Sequence, residues 1–263
     1  MTTKIIIACP VYRRSWVLPL WFEAIEKQTI PLSDIGFMFE LGPDDDETHE
    51  LLWQWHDKHP EVSVFYAHVF NDIEHQVNPE AGRKWNQDRY AKLSMLRNSL
   101  LDVVTCHSPE RYFSLDSDLI LENPNTLEYL YELSETRDIV SPLSYMKYND
   151  TNYPSAMFWI DEVGGRARRD PGRCSIGELF PADIVMAAVM MKPEVYSKIR
   201  YAPHRQGEDL GFAGNAGLAG FKAFCASNHY AAHIMHEHVL QEYLEKGDIR
   251  STNEEKSFIP SLI

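Results

Sequence analysis

One pattern constrains the fold of this chain more than any other: short β-branched apolar runs that stop at Pro or Gly alternate with stretches whose apolar residues recur at helical spacing. Parallel strands need long crossovers, so the alternation predicts an α/β fold with a mostly parallel central sheet flanked by helices. Lys4 to Cys9 (KIIIAC) is the first predicted strand, stopped by Pro10, and Leu18 to Lys27 the first helix. A second strand, Ile35 to Leu41, breaks at Gly42-Pro43 and leads to a helix over Thr48 to Lys58; Val62 to Ala67 reads as a third strand. The polar stretch Asn71 to Asn86 has little periodicity. Beyond it come helix Asp88 to Asp102, strand Tyr112 to Leu115, helix Asn125 to Glu135 and strand Asp138 to Val140. From Ser144 to Pro181 the pattern lapses into a long loop containing Gly, Arg and Pro, and such loops inside a compact domain are usually functional or mobile. An apolar run Ile184 to Met191, helices from Glu194 and over Glu208 to Ala219, strand Phe221 to Ala226 and a polar tail from Gln241, helical at first, complete the chain. With no repeat or low-complexity linker, residues 1–263 read as a single domain.

Charge poses the functional question. Lys and Arg number 25 against 39 Asp and Glu, a net charge of −14 that argues against sequence-independent binding to a nucleic-acid duplex. An acidic protein that takes an anionic substrate usually does so through a bridging cation. A composition 44% hydrophobic and 12% aromatic excludes disorder. The apolar run near the N-terminus is too short for a signal peptide or a membrane span. The four cysteines match no metal or redox spacing, so reduced, buried thiols in a cytoplasmic protein are expected.

Several clusters could carry chemistry. Asp116-Ser117-Asp118 follows the apolar Tyr112-Phe113-Ser114-Leu115, and two carboxylates so placed at a strand end can converge on one hard cation that holds a diphosphate. With 17 Asp in the chain, about one Asp-x-Asp is expected by chance, and a second occurs at Asp44/Asp46. Position separates the two: Asp44 to Asp46 lies in a Gly-Pro turn and equally reads as a solvated loop and helix cap, whereas ligand sites of α/β sheets gather at carboxyl ends of strands. Gly207-Glu208-Asp209-Leu210-Gly211 opens a helix; its acids complement the helix dipole, or one of them deprotonates a hydroxyl acceptor. His229, His233, His236 and His238 cluster late in the chain, and one could complete a metal site with carboxylates. Pro10-Val11-Tyr12-Arg13-Arg14 and Arg97-Asn98 are weak signals individually.

Taken in order, these pieces resemble GT-A fold glycosyltransferases, and the chain is similar to the large inverting family 2 of nucleotide-sugar-dependent enzymes. The resemblance spans about Lys4 to His236. It implies a nucleoside-diphosphate sugar donor, with UDP favoured by analogy, a Mn²⁺ or Mg²⁺ ion, and transfer to an acceptor hydroxyl. Pro10, Val11 and Tyr12 would flank the nucleotide base, with Glu40 or the acidic turn beyond it near base or ribose. Arg97 would sit near the donor, Asp116 and Ser117 near ribose and sugar, and Asp118 on the metal with Asp116 beside it and His233 or His236 as a further ligand. Asp209 would be the general base and Glu208 its neighbour near the acceptor. Residues about 1–118 would bind the nucleotide sugar, 119–240 the acceptor, and 241–263 would be a tail.

Arg166, Arg168, Arg169 and Arg173 are crowded in a chain of charge −14 and read either as a solvated loop or as a grip on the diphosphate or on an anionic acceptor: a phosphorylated glycan or carrier, or a hydroxylated base in DNA. The competing readings are a retaining transferase on the same fold, a catalytically silent nucleotide- or glycan-binding protein, and a zinc hydrolase built on the histidines.

Overall fold

The computed structural model describes residues 4–42, 46–68, 87–148, 151–161, 165–175 and 177–247. The central parallel strands are β1 (Ile5–Val11), β2 (Ile35–Leu41), β3 (Ser63–His68) and β4 (Arg111–Leu115); β5 (Leu119–Leu121) follows at once. The remaining strands are β6 (Ile139–Tyr148), β7 (Thr151–Pro154), β8 (Phe158–Trp159), β9 (Ala167–Arg168), β10 (Leu179–Ala182), β11 (Ala188–Met191) and β12 (Ala223–His233). Helices are α1 (Leu18–Glu26), α2 (Asp46–Lys58), α3 (Gln87–His107), α4 (Thr126–Thr136), α5 (Pro171–Cys174), α6 (Pro193–Tyr196), α7 (Glu208–Leu218) and α8 (Glu237–Lys246).

The main sheet runs β3-β2-β1-β4-β11-β6-β12-β10, with β5 paired to β12 and β7 to β6. The pairs β3/β2, β2/β1, β1/β4 and β6/β12 are parallel, while β11 runs against both neighbours and β10 against β12, so the α/β fold expected from the alternation is the one observed. Burial on both faces explains why β1 and β2 are almost continuously apolar rather than alternating. Successive β1 side chains serve different cores: Ile5, Ile7 and Cys9 pack with α1, α2 and α4, whereas Ile6 and Ala8 pack with α3, α6 and α7. Phe22 of α1 stacks on Trp55 of α2 at 4.9 Å between ring centroids, joining the two helices over β2.

The chain leaves β1 toward β2 and β3 on one side and returns to β4 on the other. The carboxyl ends of β1 and β4 therefore border the crevice that this switch in strand order opens. Pro10 ends one strand and Asp116 follows the other.

Three expectations are corrected. Segment 144–181 is not one loop: β6 continues to Tyr148 and folds back on β7, and β8, β9, α5 and β10 follow. Elements of two to four residues punctuated by Pro and Gly carry too few alternations to be read as strands. The histidines do not all follow the last strand, because β12 extends through His229 to His233. Among the cysteines, Cys9, Cys174 and Cys225 are buried but Cys106 is exposed on α3. Among the described residues no helix is long and apolar enough to cross a membrane.

Candidate functional site

The Asp116-Ser117-Asp118 turn is held by backbone from three sides. The Asp116 N–H donates to Ala187 O (2.9 Å), the Ser117 hydroxyl to Pro10 O (3.3 Å), and Asp118 O accepts from the Ile234 N–H (2.7 Å). Antiparallel pairing of Leu119 with His233 then sets the imidazole beside the second carboxylate, His233 Nε2 lying 3.2 Å from Asp118 Oδ1. On its other oxygen, Asp118 receives Arg14 Nη2 at 3.0 Å. Ala187 adopts φ 69°, a left-handed conformation that costs a non-glycine residue free energy and that clusters at functional sites.

Arg97 of α3 organises the opposite part of the site. Its guanidinium donates to Glu208 Oε1 (3.2 Å), the Ser114 hydroxyl (3.0 Å) and Asp116 Oδ1 (2.9 Å), and its side chain is 6% exposed. Tyr201 lies under the guanidinium at 5.5 Å from the ring centroid, and Asn98 pins Tyr201 through both backbone polar groups. Glu208 and Asp209 sit in the first turn of α7, whose start requires Gly207 at φ 135°. The Gln206 amide ties this turn to β9, accepting from the Ala167 N–H and donating to Ala167 O, both at 2.9 Å.

Together these residues line an open cavity of about 400 Å³. Pro10, Arg14, Arg97, Asp116, Ser117, Asp118, Arg169, Glu208, Asp209 and His233 all reach it. Burial pushes the Asp209 carboxyl well above the ordinary carboxylate range; Arg97 pulls it back, while Glu208 and Asp116 push it further up. A carboxylate so perturbed is a better proton acceptor near neutral pH than a solvated one.

Other sequence-predicted residues do not line the cavity. Val11 is in the core, and Tyr12 packs on Gly42, where an added Cβ would lie 2.1 Å from the ring. Of the four crowded arginines only Arg169 arrives, donating to Pro154 O at 2.9 Å. Arg168 and Arg173 approach Asp170 on the surface, and Arg166 is exposed. His229 stacks on Tyr129, and His236 on His238, away from the cavity. Asp44 and residues 71–86 lie outside the described residues. Among the described residues no three His, Cys, Asp or Glu side chains converge tightly enough to hold a metal alone, because Asp116 turns to Arg97. That finding removes the all-histidine zinc site and leaves Asp118 and His233 as the pair that fits a divalent cation: their spacing suits two ligands of one ion, and Mg²⁺-like ions are commonly held by one or two protein groups plus substrate phosphates. Two residues escaped the sequence reading of roles. Arg14 lies in the Pro10-Val11-Tyr12-Arg13-Arg14 run, where the resemblance gives it no role, and Arg89 precedes Arg97 by about two turns of one helix, the spacing that puts both on one face.

Glu40 is buried under α3 rather than in the cavity, with Oε2 lacking a hydrogen-bond partner. Desolvation pushes its carboxyl up to about 8, against the opposing pull of Arg97 and Ser99. Between about pH 4.5 and 8 the folded protein keeps a proton that the unfolded chain has lost, so stability declines as pH rises through that window. Glu40→Gln, which needs no proton, is expected to melt several degrees above the parent at pH 8 and close to it at pH 5. Equal melting differences at both pH values in a thermal denaturation series would show that ionising Glu40 costs nothing.

The model of the glycosyltransferase family 25 N-terminal domain matches residues 2–162, more than half of the chain. The chain belongs to glycosyltransferase family 25. The resemblance to GT-A glycosyltransferases thus holds, and the matching family is 25 where the motif order suggested family 2. A glycosyltransferase 25 family member of Aedes aegypti is 25% identical over 144 residues, covering 53% of this family 25 chain and 23% of the relative. Procollagen galactosyltransferase 1-A of Xenopus laevis is 26% identical over 200 residues, covering 71% of this chain and 31% of that one. The chain thus spans less than a third of the length of these curated relatives. A mannosyltransferase from Pyrobaculum calidifontis, solved in complex with GDP-Man and Mn²⁺, superposes with TM-score 0.58 at 13% identity over 89% of this chain and 57% of its own. That likeness establishes the GT-A fold for this family 25 chain.

Proposed function

We propose that the chain is a metal-dependent glycosyltransferase that moves a sugar from a nucleoside-diphosphate donor, UDP-linked by preference, to an acceptor hydroxyl with inversion at the anomeric carbon. The observation that carries this reading is the convergence of Asp118, His233 and Asp209 on one cavity at the carboxyl ends of β1 and β4. Asp118 and His233 would hold Mn²⁺ or Mg²⁺, and the bound cation supplies charge neutralisation for a departing diphosphate. Asp209 would take the proton of the acceptor hydroxyl as that oxygen attacks from the face opposite the diphosphate. Its raised proton affinity supports this role. Glu208, held by Arg97, keeps the first turn of α7 in place beside it. Arg169 at the cavity supports an acceptor bearing a negative charge, a phosphorylated glycan or carrier or a hydroxylated base in DNA. The free thiols support a reducing, cytoplasmic setting. Residues 1–118 would serve the donor and 119–240 the acceptor.

A thermal-shift panel of UDP-, GDP-, CMP- and dTDP-sugars with and without Mn²⁺ tests the reading. A ligand at a hundred times its dissociation constant adds about 2.7 kcal/mol, roughly 5 to 10 °C for a protein of this size. Stabilisation that needs both one nucleotide sugar and Mn²⁺ is expected; silence across the panel would overturn the donor assignment.

A further inference from the structure

Arg14 lies at the cavity wall against Asp118, the carboxylate proposed to hold the cation. The turn after β1 aims it there: Arg13 adopts φ 52°, and the buried Thr48 hydroxyl of α2 accepts the Arg14 backbone N–H at 3.0 Å. The guanidinium crosses to Asp118 Oδ2 at 3.0 Å while His233 stands 3.2 Å from Oδ1 of the same carboxylate. One carboxylate therefore faces both a permanent cation and the imidazole best placed to share a metal with it. The Arg14 side chain is 18% exposed, its Nη1 makes only a long contact with Arg13 O at 3.4 Å and its Nε has no hydrogen-bond partner, so the guanidinium keeps donor capacity beyond its bond to Asp118.

We propose that Arg14 is a counter-ion held for exchange: it neutralises Asp118 in the ligand-free protein and passes to the donor's diphosphate when a divalent cation takes that carboxylate. The charges require a partner for it. A divalent ion joining Asp118 and His233 leaves two positive groups on one carboxylate at the cavity wall, and an arriving diphosphate supplies the anion that both can share. Bidentate capture of phosphate by a guanidinium is geometrically favourable, and Arg14 lines the same cavity as Asp118. This inference rests on the proposed donor class and adds to it a residue that opposes the metal when alone and assists it when the nucleotide is present.

The test compares the intact protein with Arg14→Met in two binding measurements, Mn²⁺ alone by titration calorimetry and UDP or GDP at saturating Mn²⁺. Breaking a charged hydrogen bond typically changes an equilibrium by about tenfold or more. Arg14→Met is expected to bind Mn²⁺ alone about tenfold more tightly and the nucleotide about tenfold more weakly, shifts of opposite sign that a general structural defect does not produce. Unchanged Mn²⁺ affinity, or both affinities weakened together, would overturn the exchange. Should Arg14→Met fail to fold, Arg14→Lys keeps the charge but loses the fork, and the same opposed shifts are expected at smaller size. A parent protein that binds neither nucleotide with Mn²⁺ sinks the donor reading itself; a parent that binds one while Arg14→Met binds it equally well sinks the exchange alone.

Discussion

Asp209→Asn is expected to lower turnover by about 10² to 10⁴ while leaving donor affinity within about threefold, because an amide of the same shape can occupy the first turn of α7 but cannot take a proton. Loss confined to turnover marks a group that acts as bonds change rather than on binding. The pH profile carries the second half of the result. Asp209 accepts a proton only when ionised, and burial holds its carboxyl well above the ordinary range, so turnover is expected to rise with pH through that raised value and the rise to vanish in the Asn variant. Steady-state kinetics at several pH values, with UDP binding measured separately, decides it. Near-parental turnover in Asp209→Asn would remove the residue from the chemistry.

Arg97→Met is expected to destabilise the fold by about 3 to 5 kcal/mol, because breaking a buried ion pair from one side strands the other charge. The guanidinium serves Glu208, Ser114 and Asp116 at once, on α7 and at the end of β4, and Glu208 is 5% exposed. Urea unfolding measures the loss, and one below about 1 kcal/mol would mean that these carboxylates find other partners. Arg97 also lowers the proton affinity of Asp209. If the variant retains activity, its rise with pH is therefore expected to move to higher pH than in the parent. Three N–H groups of Arg97 are committed within the protein, and the guanidinium also lines the cavity where the resemblance implies a place near the donor.

The parts legible in the chain were those whose cause is local. The strand Ile35–Leu41 is legible at its observed bounds because both of its faces are buried and its apolar run stops at Gly42-Pro43. The Leu spacing of the helix bearing Arg97 predicts Asp88 to Asp102, and the helix extends over Gln87–His107. Short strands β7 to β10 hold only two to four residues each, too few alternations to be seen, and β10 is defined by pairing with the distant β12.

The candidate site divides along the same line. Sequence by itself determined the fold class and the acidic groups at the carboxyl end of β4 and the start of α7, since apolar strand ends and helix-opening Gly-Glu-Asp are local signals. Only the tertiary structure decided which partner each group meets. His233 faces Asp118 and His236 does not, because β12 runs on past its first apolar stretch and pairs His233 with Leu119. Asp116 turns to Arg97, and Arg14 crosses a sequence separation of 104 residues to reach Asp118. The physical reason is reach: periodicity and turn chemistry act within a few residues, whereas ion pairs and shared desolvation join groups wherever the sheet brings strand ends together.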